Sequence, residues 1–428
     1  MQAGTSKNES IPAAGASSSA RPPPRQSFFS SMRFKLVAVI TVAVSIWIQS
    51  TSFTIIDPFP PFTLEMVDIS PSDEKDPLRF AQHVLQGFYA PEHGVDVEGD
   101  EWIWSMGNGE LRQVNMKTMV SSKFAQTGQA HESCGELFME EHCGRPLGLL
   151  KLPLEDQERY QHYVPDEWNS QKPLLLVADA YKGLLLVLSG GDIVTLLTHV
   201  EEKPLYFANA MARAQDGTIY LSDSSSRFRR NQVILECLES QPTGRVIAWN
   251  PDTGASRIVA DKLPFPNGLL LQNNDQSLLI SLTSRHQIVR LDLTDTSKPP
   301  QIFAALPGLP DNLHASYVEK WNRSVLWVGL GTKASSITRW LNSLPQFRKA
   351  LAMLPPNLLV KCFKRYGLLL ALDVESGQIL HAYQDPKGRT AYISGIHFDD
   401  ENGYIGSWKN HFVAKISKDQ LFSVQLQV

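Results

Sequence analysis

From Pro91 onward the apolar positions fall into short runs separated by Asp-, Asn- and Gly-rich turns, and few stretches hold a helical period. One phrase keeps returning: a turn, a short apolar strand, a polar turn, a second strand ending in small residues, and a third with alternating apolar positions. It reads from HGVDVEGDEWIWSMGNGELRQVN at 93 and from RPLGLL at 145 through PLLLVADAYKGLLLVL. It follows again from NAMARAQDGTIYLSDSSS at 209, NGLLLQNNDQSLLISL at 267, DNLHASYVEKWNRSVLWVGLG at 311 and SGIHFDDENGYIGSWKN at 394. A unit of short strands and turns at this period predicts propeller blades. A lone small sheet cannot bury both faces, so the six units are expected to pack around an axis: an all-β, six-bladed β-propeller over 91–428. A β-sandwich with irregular strands would not account for the repeated turn-then-strand openings.

Two regions depart from the pattern. The stretch 335–367 places Trp340, Leu341, Leu344, Phe347, Leu351 and Leu354 at spacings of one, three and four, which predicts a helical insertion in the fifth blade. Arg339, Arg348, Lys349, Lys361, Lys364 and Arg365 make it basic, as a solvated cap or as a lid resting on anionic lipid. At the other end, Ser, Ala, Gly and Pro dominate residues 1–33, which reads as a disordered tail. Residues 34–56 follow, with no formal charge from Leu36 to Ile56, enough to cross a hydrocarbon layer of roughly 30 Å. Arg21, Arg25, Arg33 and Lys35 precede that run and Asp57, Glu65 and Asp68 follow it. The charge bias gives a single-pass type II anchor, with the tail cytoplasmic and the body in the endoplasmic reticulum or secretory lumen, or outside the cell. A cleaved signal peptide is the alternative; the long preceding region favours an anchor. Residues 57–90 read as a linker and lead-in.

Composition narrows the function classes. Apolar content of 43%, nine Trp and 20% charge describe a globular body with ample core, and a net charge of -4 offers no field for nucleic acid. Zinc spacings, a P-loop and GxSxG are absent. Cys134 and Cys143 bracket a polar loop that an oxidising compartment could close as a disulfide, with free thiols as the alternative; Cys237 and Cys362 are left unpaired. Asn322-Arg-Ser is an N-glycosylation sequon.

Position within the repeat supplies the candidate chemistry. In a propeller the turn into each first strand presents its side chain at one mouth of the channel. Glu92, Asn209, Asn267 and Asp311 open four of the units at the same phase, with Asn312 beside the last. Two carboxylates and two amide carbonyls form a hard oxygen set, suited to one calcium ion.

The segments PFPNGLLL, CGRPLGLL, VADAYKGL, YLSDSSS and LPGLPDN resemble those of the strictosidine synthase-like proteins, over about residues 60–428. The resemblance implies a six-bladed propeller of the group that includes paraoxonases and regucalcin, calcium in the central channel, and an arylesterase- or lactonase-like activity on small apolar esters or lactones. It implies the same ligand positions, Glu92, Asn209, Asn267 and Asp311 with Asn312, and it supports a Cys134–Cys143 disulfide. A second, structural ion is disfavoured, because His93 and Ala210 stand where acids would bind it. The lactonase histidine pair aligns with Leu147 and Ala180, neither of which accepts a proton. The segment 327–336 lacks the glutamate that strictosidine synthase needs, which argues against alkaloid condensation. Asp179 and Asp223, at strand ends, and His314 are the candidate bases, His131 is a weaker one, and Arg145 ties blades together or holds an anion. Two functions follow: a membrane-anchored, calcium-dependent hydrolase, or a lumenal binding or scaffold propeller whose calcium is structural.

Overall fold

A computed structural model describes residues 55–65, 67–355, 358–359 and 365–426. The expected tail, the expected anchor apart from its last two residues, and Lys361, Cys362 and Lys364 lie outside the described residues. Among the described residues no helix is long and apolar enough to cross a membrane.

The fold is all-β and propeller-like. Among the described residues six four-stranded antiparallel sheets follow one another along the chain. Their first strands are Gly94–Glu98, Pro146–Lys151, Ala208–Arg213, Pro266–Gln272, Gly308–Val318 and Ile393–Phe398. Five sheets run in strict chain order. The sixth takes its outer strand from Gln82–Val84, antiparallel to Val413–Lys415. The supposed linker therefore contributes a strand that joins the two ends of the body, and at three residues it is too short to show alternation in the sequence.

The cores lie between successive sheets, which is why so many strands are apolar on both faces. Leu176 and Leu186 of the second sheet pack on Leu221 and Trp249 of the third. Trp102 and Trp104 of the first meet Tyr404 and Val413 of the sixth. Burying one such side chain stabilises by about 1.5–3 kcal/mol. The small residues ending the second strands serve the ring. Ser105 Oγ donates to Leu147 O at 3.1 Å, Ser224 Oγ to Pro266 O at 2.7 Å and Thr283 Oγ1 to Pro310 O at 2.7 Å. Ser394 Oγ donates to Glu92 O at 2.7 Å and so links the last first strand back to the beginning.

Five of the first strands carry a bulge at the same place: the register shifts between Pro146 and Gly148, Ala208 and Met211, Pro266 and Leu269, Pro310 and Leu313, and Ile393 and Gly395. A bulge re-aims the residues on it. Gly268 shows why glycine follows Asn267: a Cβ there would lie 2.6 Å from Asp311 O of the next sheet.

Among the described residues short helices occupy several connections, including Leu154–Tyr160 in the second sheet, and two of these connections bear on the pocket. Val233–Glu239 lies between the second and third strands of the third sheet, a helix that the strand-and-turn pattern did not announce. In the fifth sheet, between Arg323–Lys333 and Gly367–Asp373, come Ser336–Asn342, with a capping box from Ser335 and Thr338, and Pro345–Ala352. Cys134 and Cys143 form a disulfide with Cα atoms 5.7 Å apart, and Cys237 is a free thiol. Asn322 is exposed in a tight turn at φ 50°.

Candidate functional site

A pocket of about 90 Å³ is lined by Glu92, Asn209, Asn267 and Asp311 together. All four are buried. The sequence reading put them in turns leading into strands. Asn209, Asn267 and Asp311 instead sit inside the first strands, on the bulges, and only Glu92 precedes its strand. The bulge, more than the turn, aims these side chains.

Hydroxyls fix the two amides. Asn209 Nδ2 donates to Ser224 Oγ at 3.0 Å, and Asn267 Nδ2 to Thr283 Oγ1 at 3.3 Å. Each hydroxyl already donates its own proton to a proline carbonyl of the next sheet, so toward the amide it can only accept. The NH2 group is held on that side, and the carbonyl oxygen is left for the pocket. Asn209 Oδ1, Asn267 Oδ1 and Asp311 Oδ1 are buried without a hydrogen-bond partner. Leaving a buried polar atom unmatched costs roughly 1–3 kcal/mol, and three such acceptors in one pocket call for a positively charged occupant. Hard oxygen atoms of this kind fit calcium. Among the described residues no three His, Cys, Asp or Glu side chains cluster as a metal site; two of these four donors are amides.

Two guanidinium groups adjoin the oxygen set. Arg145 Nη2 donates to Glu92 Oε2 at 2.9 Å and to Trp408 O at 3.2 Å. Arg230, which lines the pocket, donates from Nη1 to Glu140 Oε1 at 2.9 Å, and Tyr181 OH holds Glu140 Oε2 at 2.9 Å. Burial, followed by the neighbouring Glu92 carboxylate, pushes Asp311 well above the usual carboxylate range.

Most of the remaining lining is apolar, with Leu147, Phe207, Val233, Ile234, Phe265 and Trp408 beside the hydroxyls of Thr283 and Thr332. Leu147, at one lactonase histidine position, joins Ala180, at the other, in a small cluster with Phe207 and Phe265.

The structure places the other sequence candidates away from this pocket. Asp179 holds a turn: Oδ2 accepts from Arg145 N at 2.8 Å, and Oδ1 from Tyr181 N and Lys182 N. Asp223 Oδ1 accepts from Tyr206 N and Phe207 N, and Oδ2 pairs with Arg245 Nε at 3.0 Å. Their carboxylates are occupied by backbone and arginine donors and do not line the pocket. His131 is exposed in the disulfide loop. Asn312 lies against Gly395, outside the lining.

His314 joins a different cluster. Its ring centroid lies 6.2 Å from that of His397, which lies 4.4 Å from that of His93, and Trp104 meets His397 edge-on. Burial pushes His314 down to about 4 and His93 to about 3, and His397 is held well below the ordinary value. Three neutral imidazoles offer no negative charge, so a second calcium beside Glu92 does not fit these residues.

Sequence reasoning missed Arg230, Val233, Ile234 and Cys237. They lie on or beside the unannounced helix, and its apolar run VILECL was the available signal.

The chain was compared with known proteins. The family model described as strictosidine synthase matches residues 209–295, which include Asn209 and Asn267. The human adipocyte plasma membrane-associated protein is 29% identical over 79% of this chain and 78% of its own length. An Arabidopsis thaliana protein, strictosidine synthase-like 10, is 30% identical over 76% of this chain and 84% of its own. Among solved structures, a Xanthomonas campestris gluconolactonase superposes with a TM-score of 0.51 at 15% identity, covering 85% of this chain and 99% of the other, a likeness of fold.

Proposed function

The chain belongs to the strictosidine synthase-like family, and from that premise we propose that it is a membrane-anchored, calcium-dependent hydrolase of the arylesterase or lactonase type, built on a six-bladed propeller. The observation that carries this reading is the set of three buried, unpartnered oxygens, Asn209 Oδ1, Asn267 Oδ1 and Asp311 Oδ1, in one pocket with Glu92. Those four residues would hold the ion. When bound, calcium supplies positive charge to the carbonyl oxygen of an ester or lactone. The apolar wall of Leu147, Phe207 and Phe265 binds the acyl or aryl part and excludes water from it. Of the groups lining the pocket, Glu92 and Asp311 are the carboxylates able to take a proton from the attacking water. Glu92 already accepts from Arg145, so we assign the proton to Asp311, on the carboxylate oxygen that does not face the ion. Water adds to the carbonyl carbon, the carbon–oxygen bond breaks, and the proton passes to the departing alkoxide or phenoxide.

The body's position in a secretory lumen or outside the cell agrees with the disulfide and with the exposed sequon at Asn322. The name of the human relative associates that protein with a plasma membrane.

The second reading, a binding or scaffold propeller whose calcium is structural, is favoured by Leu147 and Ala180 in place of a histidine pair. The test is turnover of a panel of aryl esters and lactones by the full chain, with and without a calcium chelator. Turnover that chelation abolishes supports the hydrolase. No turnover across the panel, with calcium bound, supports the binding protein.

A further inference from the structure

The end of the uncharged N-terminal run is docked beside the pocket's cover. Ile56, its last residue, is buried with Phe228 and Ala352, against Leu235 and Leu238 of the Val233–Glu239 helix. Asp57 N donates to Glu239 Oε1 at 2.6 Å and Phe59 N to Glu239 O at 2.8 Å. Arg348, on the insertion helix Pro345–Ala352, reaches across and donates to Leu238 O, Glu239 O and Phe59 O. One arginine thus caps the cover helix and clasps the incoming segment. The opposite side of the same helix lines the pocket with Val233, Ile234 and Cys237.

The neighbouring surface is unusual for a water-facing one. Ile337 is 69% exposed, Trp340 53%, Met353 44% and Leu354 41%. Between Lys333 and Asp373 the sequence contains no acidic residue, while Arg339 and Lys349 accompany these apolar side chains. The uncharged run ends at Ile56, which packs on Ala352 of the insertion, next in sequence to the exposed Met353 and Leu354. Exposed apolar and aromatic side chains flanked by cations match the acyl boundary and the anionic headgroups of a membrane.

We propose that this insertion face seats on an anionic lipid bilayer and that the pocket takes its ligand from that bilayer, a membrane-borne ester or lactone with a long apolar chain. This rests on the anchored-hydrolase reading for the ester chemistry; the seating itself is independent of catalysis. The test uses the full chain in phosphatidylcholine vesicles with and without phosphatidylserine, carrying a long-chain fatty ester with a diazirine in its acyl chain. After illumination, mass spectrometry locates the adducts. Adducts are expected at Ile337, Trp340 and Met353 and, within the pocket, at Ile234 and Phe265, with more label in the anionic vesicles. Exposed apolar residues elsewhere, Val120, Ile302 and Tyr317, should stay unlabelled. Ile337→Glu with Trp340→Glu, both on exposed positions, should cut both groups of adducts at least fivefold without changing the melting temperature. Label spread evenly over exposed residues, an unlabelled pocket, or label unaffected by the double substitution overturns the proposal. Ester hydrolysis is scored separately: if no ester is turned over but the label falls as described, the hydrolase reading fails and the bilayer-facing pocket stands.

Discussion

Asn267 concentrates the residue-scale argument, because its amide is oriented by one hydroxyl and its oxygen is left unmatched. Asn267→Ala is expected to lower calcium affinity at least tenfold. Calcium at a hundred times its dissociation constant stabilises the folded state by about 2.7 kcal/mol, and the variant should lose most of that gain in a melting scan. In calcium-free buffer the same variant should melt near the wild type, since the hydrogen bond to Thr283 that it loses is offset by removal of a buried acceptor that has no partner. A second residue sets a pH dependence. Glu236 is fully buried, accepts from Ser225 Oγ at 2.6 Å, and is pushed up to about 8, mainly by burial. A carboxyl raised in the folded state contributes stability that is present below its unfolded value near 4.5 and is lost as the pH rises through about 8. Glu236→Gln should therefore gain on the wild type from pH 5 to about pH 8 and level off above it, by a few kcal/mol at most, and melting from pH 5 to pH 9 checks it. Residue identity alone did not separate Asp311 from Asp179 and Asp223. Asp179 and Asp223 end apolar strands and Asp311 lies near the start of one, and only the geometry shows whether backbone amides or an arginine have taken both carboxylate oxygens.

At the scale of elements, the bulge does the aiming and glycine allows the approach. Gly268→Ala would put a methyl group 2.6 Å from Asp311 O, and backbone cannot move away as a flexible side chain could. Overpacking of this kind costs roughly 1–3 kcal/mol. It should also weaken calcium binding, because the displaced strand carries Asp311; melting and calcium titration of the variant read both effects. The sequence made the strand order, the small-residue endings and the insertion in the fifth unit legible, since each rests on periodicity or composition. Bulges were not legible, because a one-residue register shift leaves the apolar pattern of the strand almost unchanged. Nor was the cover helix, whose single apolar turn-and-a-half resembles another short strand.

Across the whole molecule, the ring depends on a strand from before the first repeat. Gln82–Val84 completes the sixth sheet, and Leu78 and Asp76 anchor the approach, the latter accepting from Gln384 N at 2.7 Å. A chain begun at residue 86 should melt roughly 5–15 °C lower than one begun at residue 55, with the loss measured by calorimetry. Equal melting would show that the sixth sheet does not need its outer strand. Repetition makes the architecture readable from one sequence: four oxygen-bearing residues at one phase of the repeat point to a shared axis. The chemistry beyond the ion was less readable, because the pocket is completed by Arg230 and the cover helix, which belong to no repeat.

The central claim is that those four oxygen-bearing side chains hold one calcium ion. Isothermal titration of the chelator-stripped full chain with calcium tests it most directly. The account predicts one site per chain in the wild type and none in a variant carrying Asn209→Ala and Asn267→Ala. A wild-type chain that takes up no calcium, or a double variant that binds it as tightly as the wild type, would contradict the account.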